Sequence, residues 1–144
     1  MMIAIVDYGV GNLFSLASSL KAIGAEIVVS GEKKVLHEAE KIILPGVGAF
    51  RDARAKLAKN NLDEFLIAEA KSGKPFLGIC LGMQMMFEKS YEYGEYEGLG
   101  LLKGKVVPIK DCLTDKSLKV PHIGWNALEI VRDNPLLKYG KNGD

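Results

Sequence analysis

The stretch Phe76-Leu77-Gly78-Ile79-Cys80-Leu81-Gly82-Met83-Gln84 admits few folds. A short apolar run ends in Gly-x-Cys-x-Gly, and a helical pattern starts at once. This is the layout of a nucleophile elbow, a sharp strand-to-helix turn, with Cys where the hydrolase version has Ser. Small residues two before and two after the nucleophile are expected, because side chains there would crowd a substrate. The turn also sets Cys80 at the first turn of a helix, where free N–H groups and the helix dipole favour a thiolate. Gln84 follows one turn later on the face that carries Cys80. A plainer reading stands beside this one, since a Cys in such a run is often an inert small hydrophobe.

The remaining chain repeats the same rhythm. Ile3 to Tyr8 reads as a buried first strand, and Gly9-Val10-Gly11-Asn12 as a loop that turns the chain over. Asn12 is a suitable N-cap for a helix from Leu13 to about Ile23, with Leu13, Leu16, Leu20 and Ile23 near helical spacing and Gly24 as the stop. The Gly-x-Gly lacks the third glycine and the later acidic residue of a dinucleotide fingerprint. Glu26 to Val29 is a second strand, and Lys34 to Glu40 a weak helix with His37 on its surface. Lys41 to Leu44 is a third strand, closed by Pro45-Gly46-Val47-Gly48. Those glycines let backbone amides approach a ligand; the loop is either an ordinary strand end or, paired with the elbow one βα unit later, an oxyanion-stabilising loop. Helices are expected over Phe50 to Lys59 and Leu62 to Ser72, and a fourth strand over Phe76 to Ile79. Alternating strands and helices predict an α/β fold with a mostly parallel sheet, whose ligand lies outside the carboxyl ends of the strands.

After Phe87 the texture changes. Glu88 to Gly98, rich in Tyr and Glu, reads as a loop, and Leu99 to Ile109 carries strand signals. Cys112 lies in a polar turn and reads as incidental. Lys119-Val120-Pro121-His122-Ile123-Gly124-Trp125-Asn126 is compact and holds the single Trp. Leu128 to Val131 reads as a strand and Asn134-Pro135-Leu136-Leu137 as a helix start. The last residues, Lys141 to Asp144, form a turn signal without a closing element, which suggests an incomplete domain.

A chain of 144 residues fits one domain with a real core. Its net charge of +1 gives no basic surface for nucleic acid or membrane lipid. Two Cys and two His at unrelated spacings point away from a disulfide framework or a metal site and towards a reducing cytoplasm. No signal-peptide pattern opens the sequence, and no apolar run has membrane-spanning length.

These residues together resemble a known family, the glutaminase subunits of imidazole glycerol phosphate synthase, within the class I (triad) glutamine amidotransferases. The broad marks are Pro45-Gly46-Val47-Gly48 and Gly78 through Gln84. The narrower ones are Asp7-Tyr8-Gly9-Val10-Gly11-Asn12-Leu13, Pro45 through Phe50, Gly98-Leu99-Gly100-Leu101, and Lys119 through Asn126. The resemblance implies a flavodoxin-like, three-layer α/β fold, incomplete at the C-terminus, with residues 1–144 forming the first two-thirds or so of a type 1 glutamine amidotransferase domain. It implies that Cys80 forms a glutamyl thioester and releases ammonia, with Gly46, Val47, Gly48 and the Leu81 amide around the oxyanion and Gly48 and Gln84 holding glutamine. It implies that Asn12 and Trp125 face a cyclase subunit, a (β/α)8 barrel, in a cytoplasmic heterodimer of histidine biosynthesis. No cofactor or metal is implied.

One departure matters. The family's base lies in a His-Ser-Tyr segment and its orienting acid in a His-Pro-Glu run, and neither occurs in these residues; His122 belongs to the docking motif. Two other readings therefore stay open. One is a sister amidotransferase or Cys hydrolase of the same architecture. The other is a catalytically dead binding or regulatory fragment that keeps the fold.

Overall fold

The four apolar runs become four parallel strands. β1 (Met2–Val6), β2 (Glu26–Ser30), β3 (Lys41–Leu44) and β4 (Phe76–Gly78) form one sheet in the order β2-β1-β3-β4. The structure is a computed structural model describing residues 1–144, and the chain divides into two units, Met1–Asp111 and Cys112–Asp144. Parallel neighbours require crossovers that cover the sheet. In the first unit α1 (Leu13–Ala22) joins β1 to β2, α2 (Lys33–Glu38) joins β2 to β3, and α3 (Phe50–Leu57) with α4 (Leu62–Lys71) joins β3 to β4. Asn60 and Asn61, at φ +57° and +54°, make the break between the last two helices; Asn tolerates that region better than most side chains.

Strand residues alternate between faces. Ala4 and Val6 of β1 and Ile42 and Leu44 of β3 share one face and are buried with Leu36, Phe50, Leu57 and Leu66 from the covering helices. On the other face Ile5 and Ile43 are buried, while Val29 and Leu77 are each 39% exposed. Helix α1 contacts β2, with Leu13, Leu16, Ala17 and Leu20 half-buried. Ile23, expected on that apolar face, is instead 78% exposed. The helix stops at Ala22, Ile23 is its C-cap, and Gly24 at φ +79° turns the chain away.

Helix α4 buries two carboxylates, and both are paired. Asp63 accepts from Arg54 Nη1 at 2.6 Å. Glu69 Oε1 lies 2.8 Å from His37 Nδ1, and Oε2 forms an ion pair with Lys74 Nζ. Lys74 also donates to the carbonyls of Leu36 and His37 at 3.0 and 2.8 Å, so it caps the end of α2. Burial raises the Glu69 pKa, but its bonds and charges from Lys74 and His37 outweigh that and hold it below the ordinary glutamate value of 4.5. A carboxylate with a depressed folded pKa contributes stability that is complete above its unfolded value and is lost as pH falls through the folded one. Glu69→Gln is therefore expected to lower stability by about 1–3 kcal/mol at pH 7, discounted because the exposed His37 side leaves part of the cluster screened by water. The deficit should shrink below about pH 4. Urea midpoints of both proteins at pH 7 and pH 3.5 check this, and a deficit equal at the two pH values would refute it.

After β4 come α5 (Leu81–Met85), β5 (Phe87–Ser90), β6 (Tyr96–Glu97), β7 (Leu102–Val106) and α6 (Ile109–Cys112). The expected loop over Glu88 to Gly98 is thus a hairpin, β5 antiparallel to β6, in a second sheet ordered β6-β5-β7. Tyr93 and Gly94 make its turn at φ +54° and +145°. Lys89 pairs with Glu95 across the hairpin at 2.6 Å, and Ser90 is wholly buried.

The second unit has no strand. Leu128 to Val131, expected to be one, instead meets the terminal turn: Leu128 N–H donates to Asp144 O at 2.9 Å, and Ile130 N–H to Asn142 Oδ1 at 2.7 Å. With no strand beside it in that unit, the amides of Leu128 and Ile130 are taken by turn atoms instead. Pro135–Leu137 is a 3-10 turn capped by Asn134, in line with the helix start expected there. No helix in the chain is long and apolar enough to cross a membrane.

Candidate active site

Cys80 has φ +54° and ψ −116°, a conformation that costs a non-glycine residue on the order of 1–3 kcal/mol. It occupies the N-cap of α5, directly after β4, and is exposed. Strand and helix enforce the strain: Ile79 N–H donates to Leu44 O at 3.0 Å, and Gln84 N–H to Cys80 O at 3.0 Å. Half-buried Gln84 thus stands one turn beyond Cys80, as its spacing predicts.

The elbow glycines serve a purpose other than the expected one. A Cβ on Gly78 would lie 2.5 Å from Met83 Cα and from Met86 Sδ, and one on Gly82 would run into the Leu44 carbonyl oxygen. The chain's own close packing of helix on strands therefore excludes a side chain at both positions, quite apart from room for a substrate. The helix is also short, Leu81–Met85. The amide of Leu99 takes the Met85 carbonyl at 2.7 Å, and those of Leu101 and Leu102 take the Met86 carbonyl. Any electrostatic help to Cys80 comes from the first-turn amides of a five-residue helix, with no long dipole behind them.

The Pro45–Gly48 loop lies against this elbow. A Cβ on Gly46 would be 2.7 Å from Gly82 N and 2.9 Å from Leu81 Cβ. The β1–α1 loop closes in as well, with Gly11 packed on the Pro45 ring and the Tyr8 hydroxyl donating to Pro45 O at 2.7 Å. The loop's far end is held by Glu92, whose Oε2 accepts the Phe50 N–H at 2.6 Å. Between these anchors the amides of Val47 and Gly48, like that of Leu81, are used by no acceptor of the chain. Val47 and Gly48 are exposed, and Gly48 has φ +90°. The structure thus brings Gly46, Leu81 and Gly82 into one neighbourhood at the carboxyl ends of β3 and β4.

Tyr8 and Glu92 are the contributions that sequence reasoning passed over. Tyr8 carries a signal in the sequence, a hydroxyl at the end of an apolar strand; Glu92 lies in the stretch expected to be loop. Asn12 accepts from Ser15 N–H at 3.2 Å, so it is the N-cap its position suggests. Trp125, in the second unit, is fully exposed. His37 lies just before β3, paired with Glu69, at the opposite end of the parallel strands from Cys80. No group of three or more His, Cys, Asp or Glu residues could hold a metal ion. Two open cavities, of about 710 and 660 Å³, lie beside the second sheet and beyond β1 and β2, and Cys80 lines neither.

Residues 2–128 match the family model of the CobB/CobQ-like glutamine amidotransferase domain. The chain is 55% identical over 143 residues to the imidazole glycerol phosphate synthase subunit HisH of Bacillus licheniformis, covering 99% of this chain and 68% of that protein. The HisH subunits of Aquifex aeolicus and Caldanaerobacter subterraneus are 48% and 49% identical, again with 68% of each covered. A crystal structure of a glutamine amidotransferase superposes with a TM-score of 0.62 at 21% identity, over 72% of this chain and 55% of that one, a likeness of fold. A strained cysteine elbow on a parallel α/β sheet and sequence identity along nearly the whole chain point the same way: the chain belongs to the HisH family of glutamine amidotransferases.

Proposed function

We propose that Cys80 is the nucleophile that takes ammonia from glutamine for a partner synthase subunit. As a HisH-family chain it serves glutamine amidotransfer within imidazole glycerol phosphate synthase, in histidine biosynthesis. In the step assigned to Cys80, its thiolate attacks the carboxamide carbon, a C–S bond forms, the C–N bond breaks, and the nitrogen leaves as ammonia after gaining a proton. The observation that carries this reading is Cys80 held at φ +54° on the elbow, beside a loop with uncommitted amides.

The amides of Val47, Gly48 and Leu81 would stabilise the tetrahedral oxyanion, a role in which one donor is worth on the order of a hundredfold in rate. Gly48 and Gln84 would hold the glutamine. Asn12 and Trp125 would contact a cyclase subunit of (β/α)8 form that uses the ammonia; an exposed Trp is the kind of side chain that anchors such a contact. Residues 1–144 would together form part of one type 1 amidotransferase domain, at work in the cytoplasm. A second reading, a binding fragment without turnover, is favoured by one observation: His37 is tied to Glu69 at the wrong end of the sheet.

Labelling with a glutamine-analogue diazo-ketone of the norleucine type tests the assignment. Cys80 and Cys112 are both exposed, so exposure alone would label both. Selective adduct on Cys80, located by peptide mapping, is expected; adduct mainly on Cys112 would sink the proposal.

A further inference from the structure

We propose that Tyr8 is a positioning residue for the acylation of Cys80, fixing the Pro45–Gly46 peptide so that the Val47 and Gly48 amides face the reaction; this rests on the function proposed above. The Tyr8 hydroxyl donates to Pro45 O at 2.7 Å, the one hydrogen bond that carbonyl receives. The loop needs such a tether. Gly46 and Gly48 lack the Cβ that would restrict their backbone, so the peptides between Pro45 and Ala49 have several orientations open to them. The carbonyl and the next N–H share one rigid plane. Holding Pro45 O therefore sets where the Gly46 N–H points and the direction from which Val47 and Gly48 follow.

Surroundings make the tether hard to replace. Pro45 and Gly46 are buried and Tyr8 is half-buried, so water has little access to stand in for the hydroxyl. Burial pushes the Tyr8 hydroxyl well above the ordinary tyrosine range, and it remains a donor at every working pH. A larger residue at Gly46 would meet the same hydroxyl, at 3.0 Å from its Cβ, as well as Gly82 N. Tyr8 thus holds the loop where it also packs on the elbow.

The test compares two reactions of Cys80 in the 144-residue chain. Attack on a γ-glutamyl ethyl thioester passes through an oxyanion: the C–S bond to Cys80 forms and ethanethiolate departs with its electron pair, needing no proton from the protein. Alkylation by iodoacetamide displaces iodide and forms no oxyanion. Both reactions are run in a Cys112→Ser background, because Cys112 is exposed as well as Cys80, and both adducts are followed by intact-protein mass spectrometry. Tyr8→Phe keeps the ring and is expected to slow thioester acylation by about tenfold or more, with the iodoacetamide rate within about twofold of the parent, a contrast that loosened packing alone would not produce. Equal acylation rates would overturn the proposal, and so would equal slowing of both reactions, the mark of a distorted elbow. Acylation that persists in Cys80→Ser, or is absent from the parent, would instead bring down the reading of the site itself, and Tyr8's role with it.

Discussion

Glutamine turnover by these 144 residues, mixed with a cyclase subunit, is expected to run at least about a thousandfold below that of the Bacillus licheniformis HisH subunit with its own partner. A thiol nucleophile needs a base to form its thiolate and an acid to protonate departing ammonia. Of the two histidines present, His37 sits at the N-terminal end of the strands, bound to Glu69, whereas Cys80 follows their carboxyl ends. His122 belongs to the Pro-His-Ile-Gly-Trp-Asn segment of the second unit. Ammonia release from glutamine is the measurement, and comparable rates in the two systems would show that a base is present after all. Loss of that rate in His122→Ala would identify it. The thioester reaction should survive, because its leaving group asks for no acid.

Gly82→Ala is expected to destabilise the first unit by about 3 kcal/mol or more, among the larger costs of a single methyl group. The new Cβ meets backbone, not a movable side chain: the Leu44 carbonyl oxygen, its carbon at 2.7 Å and the Pro45 carbon at 3.0 Å. Relief requires α5 to move off β3, which also spoils the position of Cys80. Gly48→Ala is the useful contrast. Nothing lies within 4 Å of its Cβ, so only the φ of +90° opposes it, a cost of about 1–2 kcal/mol. Thermal melts of the two variants should differ clearly; a Gly82→Ala midpoint within about 2 °C of the parent would mean that the elbow relaxes easily.

How much of this was legible in the sequence depends on whether the deciding forces were local. β3 spans Lys41–Leu44 as expected, and Asn12 caps the helix it precedes, because chain neighbours settle both. The elbow was visible for the same reason, though the need for its glycines lay in Met83 and Leu44, atoms that only the folded chain brings near. Helix α5 ends at Met85, where amides from Leu99 onward claim the last carbonyls, and Glu88 to Gly98 pairs across a turn that composition alone did not reveal. Nothing local marks Glu69 as a buried carboxylate, because its partners Lys74 and His37 come from outside its helix. At Leu128 to Val131 the apolar pattern of a strand is present, but the second unit offers it no strand to pair with.

The loop from Pro45 to Phe50 is fastened at one end by a residue 37 positions earlier and at the other by one 42 positions later. Contacts that distant form late, since the intervening chain must first be closed into loops. As the polypeptide leaves a ribosome, Cys80 emerges before Glu92, so the thiol is made before the second fastening exists. For that interval it is a cysteine without a finished site, open to oxidants in proportion to its exposure. On the proposal that Cys80 is the nucleophile, its loop would be fully fastened only once the hairpin has folded back onto α3. Readiness for reaction would in this way follow the order of synthesis.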